Sequence, residues 1–284
     1  MDRLGIGFLC GFGLPPIEFV NLTADLGCRY MSAVVRGAPL VALDYPPYSL
    51  ADPKLRRDVL AAMDDRGVAI SLGDGFLITP GGEAHAFAGD LDALAELGVP
   101  RINAVSLDPD LARSFDQFAI LTDLAARRGI QTVVEPVPGL TVGDLPTALR
   151  AVRHVARHEF GVLIDTMHLV RSGSGAADVA AVDDDRIGYA QLNDTTLRPR
   201  GDEHMEHMGY MGYMEEAMFE RMVPGEGELP LRDILSALPP DVVIEIEVPR
   251  RSLALAGVSP IDRLRPCVAA ARRLLSEIGS GPTG

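Results

Sequence analysis

The chain has 284 residues, 47% of them hydrophobic and 23% charged, with a formal net charge of −14 at pH 7. This composition is typical of a globular protein with enough apolar residues to form a core. The negative charge argues against nucleic acid and membrane partners, because binding either one requires clusters of Lys and Arg. We therefore expect neither of these partners, while the sequence is compatible with a homo-oligomer.

The sequence carries no sign of secretion or of membrane insertion. No charged segment followed by an apolar one opens the chain, and no stretch approaches the roughly 18 apolar residues of a membrane-spanning helix. The three cysteines, Cys10, Cys28 and Cys267, are scattered and form no CxxC pair. Such spacing is typical of free thiols in a reducing compartment, so we expect a cytoplasmic protein.

Short β-branched or apolar runs alternate with longer amphipathic stretches along the chain, which indicates βα units around a parallel sheet. The eight predicted strands are LGIGFL (4–9), YMSAVV (30–35), VAISLG (68–73), RINAVS (101–106), QTVVEP (131–136), GVLIDT (161–166), GYAQLN (188–193) and VVIEIE (242–247).

Helix signals fill the intervals between these strands. Prolines and acidic residues begin the stretches at 15–27 and 52–67, and glycines end them. In the last helix, Pro266 must lie in the first turns or cause a kink. Eight such units predict a single (β/α)₈ TIM barrel over residues 1–278, with a disordered tail at 279–284. A doubly wound open sheet is the alternative.

Four successive predicted strands carry polar residues near their carboxyl ends, where a TIM barrel has its active site. These are Glu135, Asp165, Gln191, and either Glu245 or Glu247 on the eighth strand. The last two lie two residues apart and point to the same side of the strand. We expect Glu247 to face the site, because it lies nearer the mouth of the barrel, and Glu245 to be buried beneath it.

Three carboxylates and an amide oxygen packed together require a cation. Oxygen donors favour Mn²⁺ or Mg²⁺, with Co²⁺ or Zn²⁺ as further candidates. The predicted ligands are therefore Glu135, Asp165, Gln191 and Glu247. A metal in this position would chelate a carbonyl and its neighbouring hydroxyl and acidify the C–H bond between them. Glu135 and Glu247 are the predicted catalytic residues, which would remove and return the proton.

Five segments in this order resemble those of the sugar isomerase and epimerase superfamily, the xylose isomerase-like TIM barrels of AP endonuclease family 2. They are VVEPVP (133–138), GVLIDTMHLVRSG (161–173), YAQLND (189–194), RMVPGEGELPL (221–231) and IEIEVP (244–249). The resemblance covers nearly the whole chain. It implies the same four ligands for one divalent metal, a substrate or second-metal contact by His168, and a substrate-hydroxyl contact by Arg221.

Many members of this superfamily have a histidine where this chain has Gln191, which agrees with a single-metal member and weakens the match to its three-metal endonuclease. The resemblance implies an isomerase or epimerase of a sugar or small polyhydroxy ketone, a small-molecule substrate, and proton transfer through an enediolate. A lyase or dehydratase of a cyclic polyol or hydroxy acid would use the same metal and base, so it stays open. A barrel that only binds its ligand is a third alternative.

The segment EHMEHMGYMGYM (203–214) lies in an extended loop after the seventh predicted strand. Its histidines and methionines could form a soft-metal site, but no cysteine lies nearby and the barrel already offers an oxygen-rich site. We predict instead a flexible lid whose methionines, with Tyr210 and Tyr213, form an apolar wall against the substrate. Such a wall would favour a substrate less polar than a simple sugar.

Overall fold

Eight parallel strands close into a barrel, which confirms the predicted TIM barrel. The computed structural model describes residues 3–198 and 210–279. The strands in this part of the chain are β1 Leu4–Ile6, β2 Tyr30–Val34, β3 Arg36–Gly37, β4 Tyr48–Ser49, β5 Ala69–Ile78, β6 Arg101–Ser106, β7 Gln131–Val134, β8 Phe160–Asp165, β9 Ile187–Leu192 and β10 Ile244–Ile246. The barrel order is β1-β10-β9-β8-β7-β6-β5-β2, and β3 and β4 form a separate antiparallel pair.

Helices connect the barrel strands and cover their outer faces. The described residues contain α1 Pro16–Asp25, α2 Pro53–Arg66, α3 Ala88–Glu96, α4 Leu111–Ala126, α5 Leu145–Val155, α6 Thr166–Arg171, α7 Ala176–Ala180, α8 Tyr210–Phe219, α9 Leu231–Ser236, α10 Arg251–Leu255 and α11 Pro260–Gly279. Within them, no helix is both long and apolar enough to cross a membrane. Asp52, Asp110 and Asp144 cap α2, α4 and α5 by accepting hydrogen bonds from first-turn N–H groups.

Strand β5 extends well past its predicted end at residue 73. The sequence Gly73-Asp74-Gly75 suggests a turn, yet Gly75 adopts a φ of 96° and the register against β6 shifts between Gly73 and Phe76. Glycine tolerates this left-handed conformation, so the strand bulges there and continues to Ile78. The bulge places Asp74 near the mouth of the barrel.

The carboxyl-terminal part of the chain departs from the prediction in two places. Helix α11 continues through Gly279, one residue beyond the predicted domain end, with Pro266 in its second turn; residues 280–284 lie outside the described residues. The end of the predicted flexible lid, from Tyr210 onward, belongs to helix α8, and residues 199–209, with His204 and His207, lie outside the described part.

The core has two parts. Most buried apolar side chains lie between the strands and the helices, where Phe118 of α4 packs against Phe160 of β8 with 5.9 Å between ring centroids. A smaller cluster inside the barrel contains Leu72, Leu163 and Tyr189. This inner layer closes the barrel beneath the polar residues at the carboxyl ends of the strands.

Substitution of Gly161 in β8 provides a test of the close packing of this strand against the Arg186 backbone. An added Cβ there would overlap the carbonyl oxygen of Arg186, a backbone atom that cannot move aside cheaply. We expect Gly161→Ala to lower the free energy of unfolding by about 1–3 kcal/mol, measured by urea denaturation. The control is Gly89→Ala in α3, where no atom lies within 4 Å of the added Cβ; it should stabilise the protein by about 0.5–1 kcal/mol. Equal midpoints for the two variants would contradict this packing.

Candidate functional site

Polar side chains from most of the barrel strands form a buried ring at the carboxyl ends of the strands. Register places Asp165, Gln191 and Glu245 side by side on β8, β9 and β10, and each is at most 1% exposed. The other buried members are Ser32, Asp74, Asn103, Glu135 and Glu247. Polar groups this deeply buried require hydrogen bonds, counter-charges or a ligand.

Glu135, Asp165 and His168 converge in this ring. Each offers one ligand atom, and these atoms lie within 4.8 Å of one another. His168 is in this position because Asp165 is the N-cap of α6 and accepts a 2.8 Å hydrogen bond from the His168 backbone N–H. The His168 Nε2 then lies 3.4 Å from Glu135 Oε1. This group of three residues could hold a metal ion.

His168 is held as a neutral imidazole. Burial lowers its pKa to about 4, against the opposing effect of Asp165. Its Nδ1 hydrogen bonds to the hydroxyl of Tyr213, which reaches the site from α8. If Nδ1 carries the proton, the Nε2 lone pair points toward Glu135 and is free to bind a ligand. Tyr213 therefore lies at the site, whereas the side chain of Tyr210 is outside what the structure describes.

Arg221 supplies the positive charge of the ring. Its Nη1 lies 2.6 Å from Asp165 Oδ2 and 3.0 Å from Glu247 Oε2, and its Nε donates to the Ala217 carbonyl at 2.7 Å. The guanidinium thus bridges two of the predicted metal ligands. Burial alone would raise the pKa of Asp165, but the charge of Arg221 and the backbone N–H of His168 hold this pKa below its usual value.

The remaining carboxyl groups of the ring are shifted toward their protonated forms. Burial raises the pKa of Glu247 to about 8 despite the opposing charge of Arg221. For Glu135, burial and then the charges of Glu247 and Asp165 raise the pKa well above its usual value. A divalent cation among these groups would restore their charged forms.

Gln191 and the two glutamates of the eighth barrel strand are arranged in two layers. Gln191 Nε2 donates to Glu247 Oε1 at 3.1 Å, while the buried Oε1 of Gln191 itself has no hydrogen-bond partner. Glu247 lines the cavity above the ring. Glu245 is fully buried one layer lower, where Tyr189 donates a 2.9 Å hydrogen bond to its Oε2. The two glutamates therefore have different environments, as expected from their spacing.

Asp74 and Asn103 are site residues that the sequence analysis missed. Asn103 Nδ2 donates to Glu135 Oε2 at 2.5 Å, while Asn103 Oδ1 and Asp74 Oδ2 are buried without a partner. Burial raises the pKa of Asp74 to about 6. A search for polar residues inside the predicted strands, and not only near their carboxyl ends, would have found Asn103, the third residue of RINAVS. Asp74 lay beyond the predicted end of its strand.

A cavity of about 330 Å³ opens above the ring. Its polar floor contains Asp74, Asn103, Glu135, His168, Arg221 and Glu247. Its other lining side chains are mainly apolar, and they include Met214 and Met218 of α8. The sequence predicted an apolar wall formed by the methionine-rich segment, and the described α8 residues that line the cavity lie after Tyr213.

Asp194 organises the loop that follows Arg221. One of its oxygens accepts hydrogen bonds from the N–H groups of Gly225 and Gly227 at 2.8 and 3.0 Å, and the other accepts from those of Thr195 and Leu229. The glycines of PGEGELP thus wrap around one buried carboxylate. This loop directly follows Arg221, and Asp194 is its anchor.

The chain belongs to the family of xylose isomerase-like TIM barrels, whose model matches residues 20–273. Among curated proteins, none matches this sequence. Solved structures show the same fold at low identity. The IolI protein with a bound zinc atom is 18% identical with a TM-score of 0.76, and the match covers 98% of this chain and 99% of that one.

Two further structures have the same fold. The probable 3-DHS dehydratase AsbF from Bacillus anthracis is 12% identical with a TM-score of 0.71, over 95% of this chain and 98% of that one. D-Allulose 3-epimerase from Methylomonas sp. is 15% identical with a TM-score of 0.67, over 96% and 97%. The neighbours thus include an epimerase and a dehydratase, and at these identities they establish the fold only.

Removing the Asp194 carboxylate should unfold the loop behind Arg221. Asp194→Ala leaves four backbone N–H groups without their acceptor, and the hydrogen bonds of two of them, Thr195 and Leu229, are buried. We therefore expect a loss of at least about 3 kcal/mol in the free energy of unfolding, measured by urea denaturation. Asp194→Asn keeps one acceptor oxygen, so its free energy of unfolding should lie between those of the wild-type protein and Asp194→Ala. The control, Asp233→Ala at the exposed start of α9, should cost less than about 1 kcal/mol. The anchor role is excluded if Asp194→Ala costs no more than this control.

Proposed function

We propose that this protein is a divalent-metal-dependent isomerase or epimerase of a small hydroxy ketone. The observation that carries the proposal is the convergence of Glu135, Asp165 and His168 at one cavity. Glu135 and His168 line its floor together with Glu247 and Arg221, and Asp165 lies buried beside them. The acidic chain and the modest cavity volume support a small-molecule substrate over a nucleic acid.

The residues present fit a metal ion. Two carboxylates and a neutral imidazole converge, and the unpartnered Oε1 of Gln191 is an additional buried acceptor. We infer that Glu135, Asp165 and His168 hold the ion, with Gln191 and Glu247 as further oxygen donors. The nitrogen donor extends the plausible metals from Mn²⁺ and Mg²⁺ toward Co²⁺ and Zn²⁺. When bound, the ion would polarise a substrate carbonyl and acidify the adjacent C–H bond.

This ligand set differs from the one predicted from the sequence, because His168 takes the place nearest the other two ligands. Arg221 explains the difference, because its Nη1 lies between Asp165 and Glu247 and pairs with both. Glu247 is therefore paired with the guanidinium and does not belong to the group of Glu135, Asp165 and His168. In the reaction, Arg221 stabilises negative charge on a substrate oxygen, as a fixed cation on the cavity floor.

Glu135 and Glu247 are suited to move the proton. Both face the cavity, and they directly follow β7 and β10, which are separated in the barrel by β8 and β9. The pKa of Glu247 is raised to about 8, so near neutral pH this group exists in both the acid and the base form. Burial and the neighbouring carboxylates also raise the pKa of Glu135. Asn103 holds the Glu135 carboxyl through Oε2. One glutamate takes the proton from the carbon beside the carbonyl, and the other supplies a proton to the same or the neighbouring carbon.

Proton transfer can be followed by NMR in D₂O with Mn²⁺-loaded protein and the probes dihydroxyacetone, hydroxyacetone and D-fructose. We expect deuterium to enter the carbon beside the carbonyl without loss of water. Glu135→Gln and Glu247→Gln should lower the exchange rate at least ~100-fold, while His168→Gln should lower the metal content measured by mass spectrometry. His154→Gln, an exposed histidine of α5 paired with Asp116, is the control.

The alternative reactions give different products in the same experiment. Loss of water from a probe would identify a lyase and would replace the isomerase proposal. Absence of exchange with every probe, together with normal metal content, would refute proton transfer.

Metal uptake should depend on pH, because a carboxyl group must lose its proton to bind a cation. The raised pKa of Glu247, about 8, places that loss above its usual range, so Mn²⁺ affinity should rise between pH 6 and pH 8. Calorimetry in buffers of different ionisation enthalpy should detect protons released on Mn²⁺ binding. Glu247→Gln should release fewer protons and flatten the pH dependence. Unchanged release in that variant would show that Glu247 does not titrate with metal binding.

A further inference from the structure

The cavity above the candidate site is divided into a polar floor and an apolar wall. Carboxyl, amide, imidazole and guanidinium groups occupy the floor, next to the proposed metal ligands. The wall residues come from several separate segments of the barrel mouth, and they include Phe8, Phe76, Leu77, Leu107, Met214 and Met218. The fold therefore brings apolar side chains from these segments to one cavity with the candidate site.

Two leucines at the rim of the wall are unusually exposed. Leu77 is 44% and Leu107 is 42% exposed, and they are among six large hydrophobic side chains with high exposure in the described chain. They are close neighbours, since Leu77 pairs with Val105 in the sheet and Leu107 N–H donates to the Ile78 carbonyl at 2.8 Å. Isolated exposed leucines need no explanation, but adjacent ones lining a cavity mark a binding surface.

A simple sugar does not suit this division. It carries a hydroxyl on nearly every carbon, and each hydroxyl buried against the wall without a partner would cost roughly tenfold in affinity. The polar residues of the floor can still bind a few oxygen atoms at one end of a substrate. Beyond the proposed ligands, Asp74 Oδ2 and Asn103 Oδ1 are buried acceptors without partners, suited to one further substrate hydroxyl.

The charge of the floor disfavours an anionic substrate. Among the cavity-lining residues that the structure describes, Arg221 is the cationic side chain, and it already pairs with Asp165 and Glu247. Asp74, Glu135 and Glu247 supply carboxyl groups to the same floor. The proposed metal ion would be engaged by the carbonyl and hydroxyl of the substrate. A phosphate or carboxylate elsewhere on the molecule would therefore meet carboxyl groups or apolar side chains, and no unpaired cationic side chain among the described lining residues.

We propose that the substrate is a neutral, amphiphilic hydroxy ketone whose carbonyl and hydroxyl lie on the floor and whose alkyl or aromatic substituent packs against the wall. At the polar end, a hydroxyl donates a hydrogen bond to one of the two unpartnered acceptors, Asp74 Oδ2 or Asn103 Oδ1. This inference rests on the proposed function for the reaction itself. The affinity for the apolar substituent follows from the wall and can be measured without any reaction.

Binding is tested with the unreactive probes propane-1,2-diol, butane-1,2-diol and hexane-1,2-diol on Mn²⁺-loaded protein by calorimetry. Each added methylene should strengthen binding about threefold to fourfold, and glycerol should bind no more tightly than propane-1,2-diol. Leu77→Gln and Leu107→Gln should reduce this gain per methylene. Leu60→Gln, a comparably exposed leucine of α2, should leave the gain unchanged. Affinity independent of chain length would overturn the inference.

Reaction is tested by deuterium exchange at C1 of hydroxyacetone and 1-hydroxyhexan-2-one, with D-fructose and dihydroxyacetone phosphate for comparison. We expect kcat/KM for 1-hydroxyhexan-2-one to exceed those of the sugar and the phosphate ester at least tenfold. Equal or higher kcat/KM for either comparison probe would overturn the proposed substrate class and leave proton transfer intact. Tight diol binding without exchange of any ketone would instead refute the proposed function and keep the apolar specificity.

Discussion

The central constraint on this molecule is the burial of several carboxyl groups at one end of a closed barrel. Asp74, Glu135, Asp165, Glu245 and Glu247 are all at most 8% exposed. Burying this much negative charge without compensation is strongly unfavourable. Part of the charge is removed because the pKa values of Glu135 and Glu247 are raised, and part is balanced by the Arg221 guanidinium. A bound cation would complete the compensation. The arrangement is costly for stability and is best explained by the chemistry it permits.

The segments around the barrel mouth hold the compensating groups in place. Arg221 lies between α8 and a loop that wraps around the Asp194 carboxylate. Helix α8 is in turn attached to the barrel by the buried ion pair between Arg171 and Glu216. The same helix presents Tyr213 to His168 and Met214 to the cavity. The position of one helix therefore affects the cation, the imidazole and the apolar wall together.

Much of the site could be predicted because barrel strands bring their carboxyl ends to one edge, so strand position alone gathers Glu135, Asp165 and Gln191. The two-residue spacing of Glu245 and Glu247 puts both on the same side of the last strand, and their different depths distinguished their environments. Asp74 was missed because a bulge at Gly75 extends β5 where the sequence suggests a turn. The pairing of Arg221 with two carboxylates was also beyond prediction, since it depends on how a long connection folds back over the barrel.

In the proposed metal site, the glutamine on the seventh barrel strand would connect the electrostatics of the site to its choice of metal. An imidazole there would add a nitrogen donor, whereas Gln191 would contribute a neutral oxygen, and its amide N–H donates to Glu247. The proposed nitrogen donor is instead His168, whose ring is hydrogen bonded to Tyr213 of α8. Because second partners of this kind orient metal-binding histidines, metal affinity would be coupled to the helix that also forms part of the apolar wall. A substrate that packs against this wall would then stabilise the same helix position that orients His168 toward the metal.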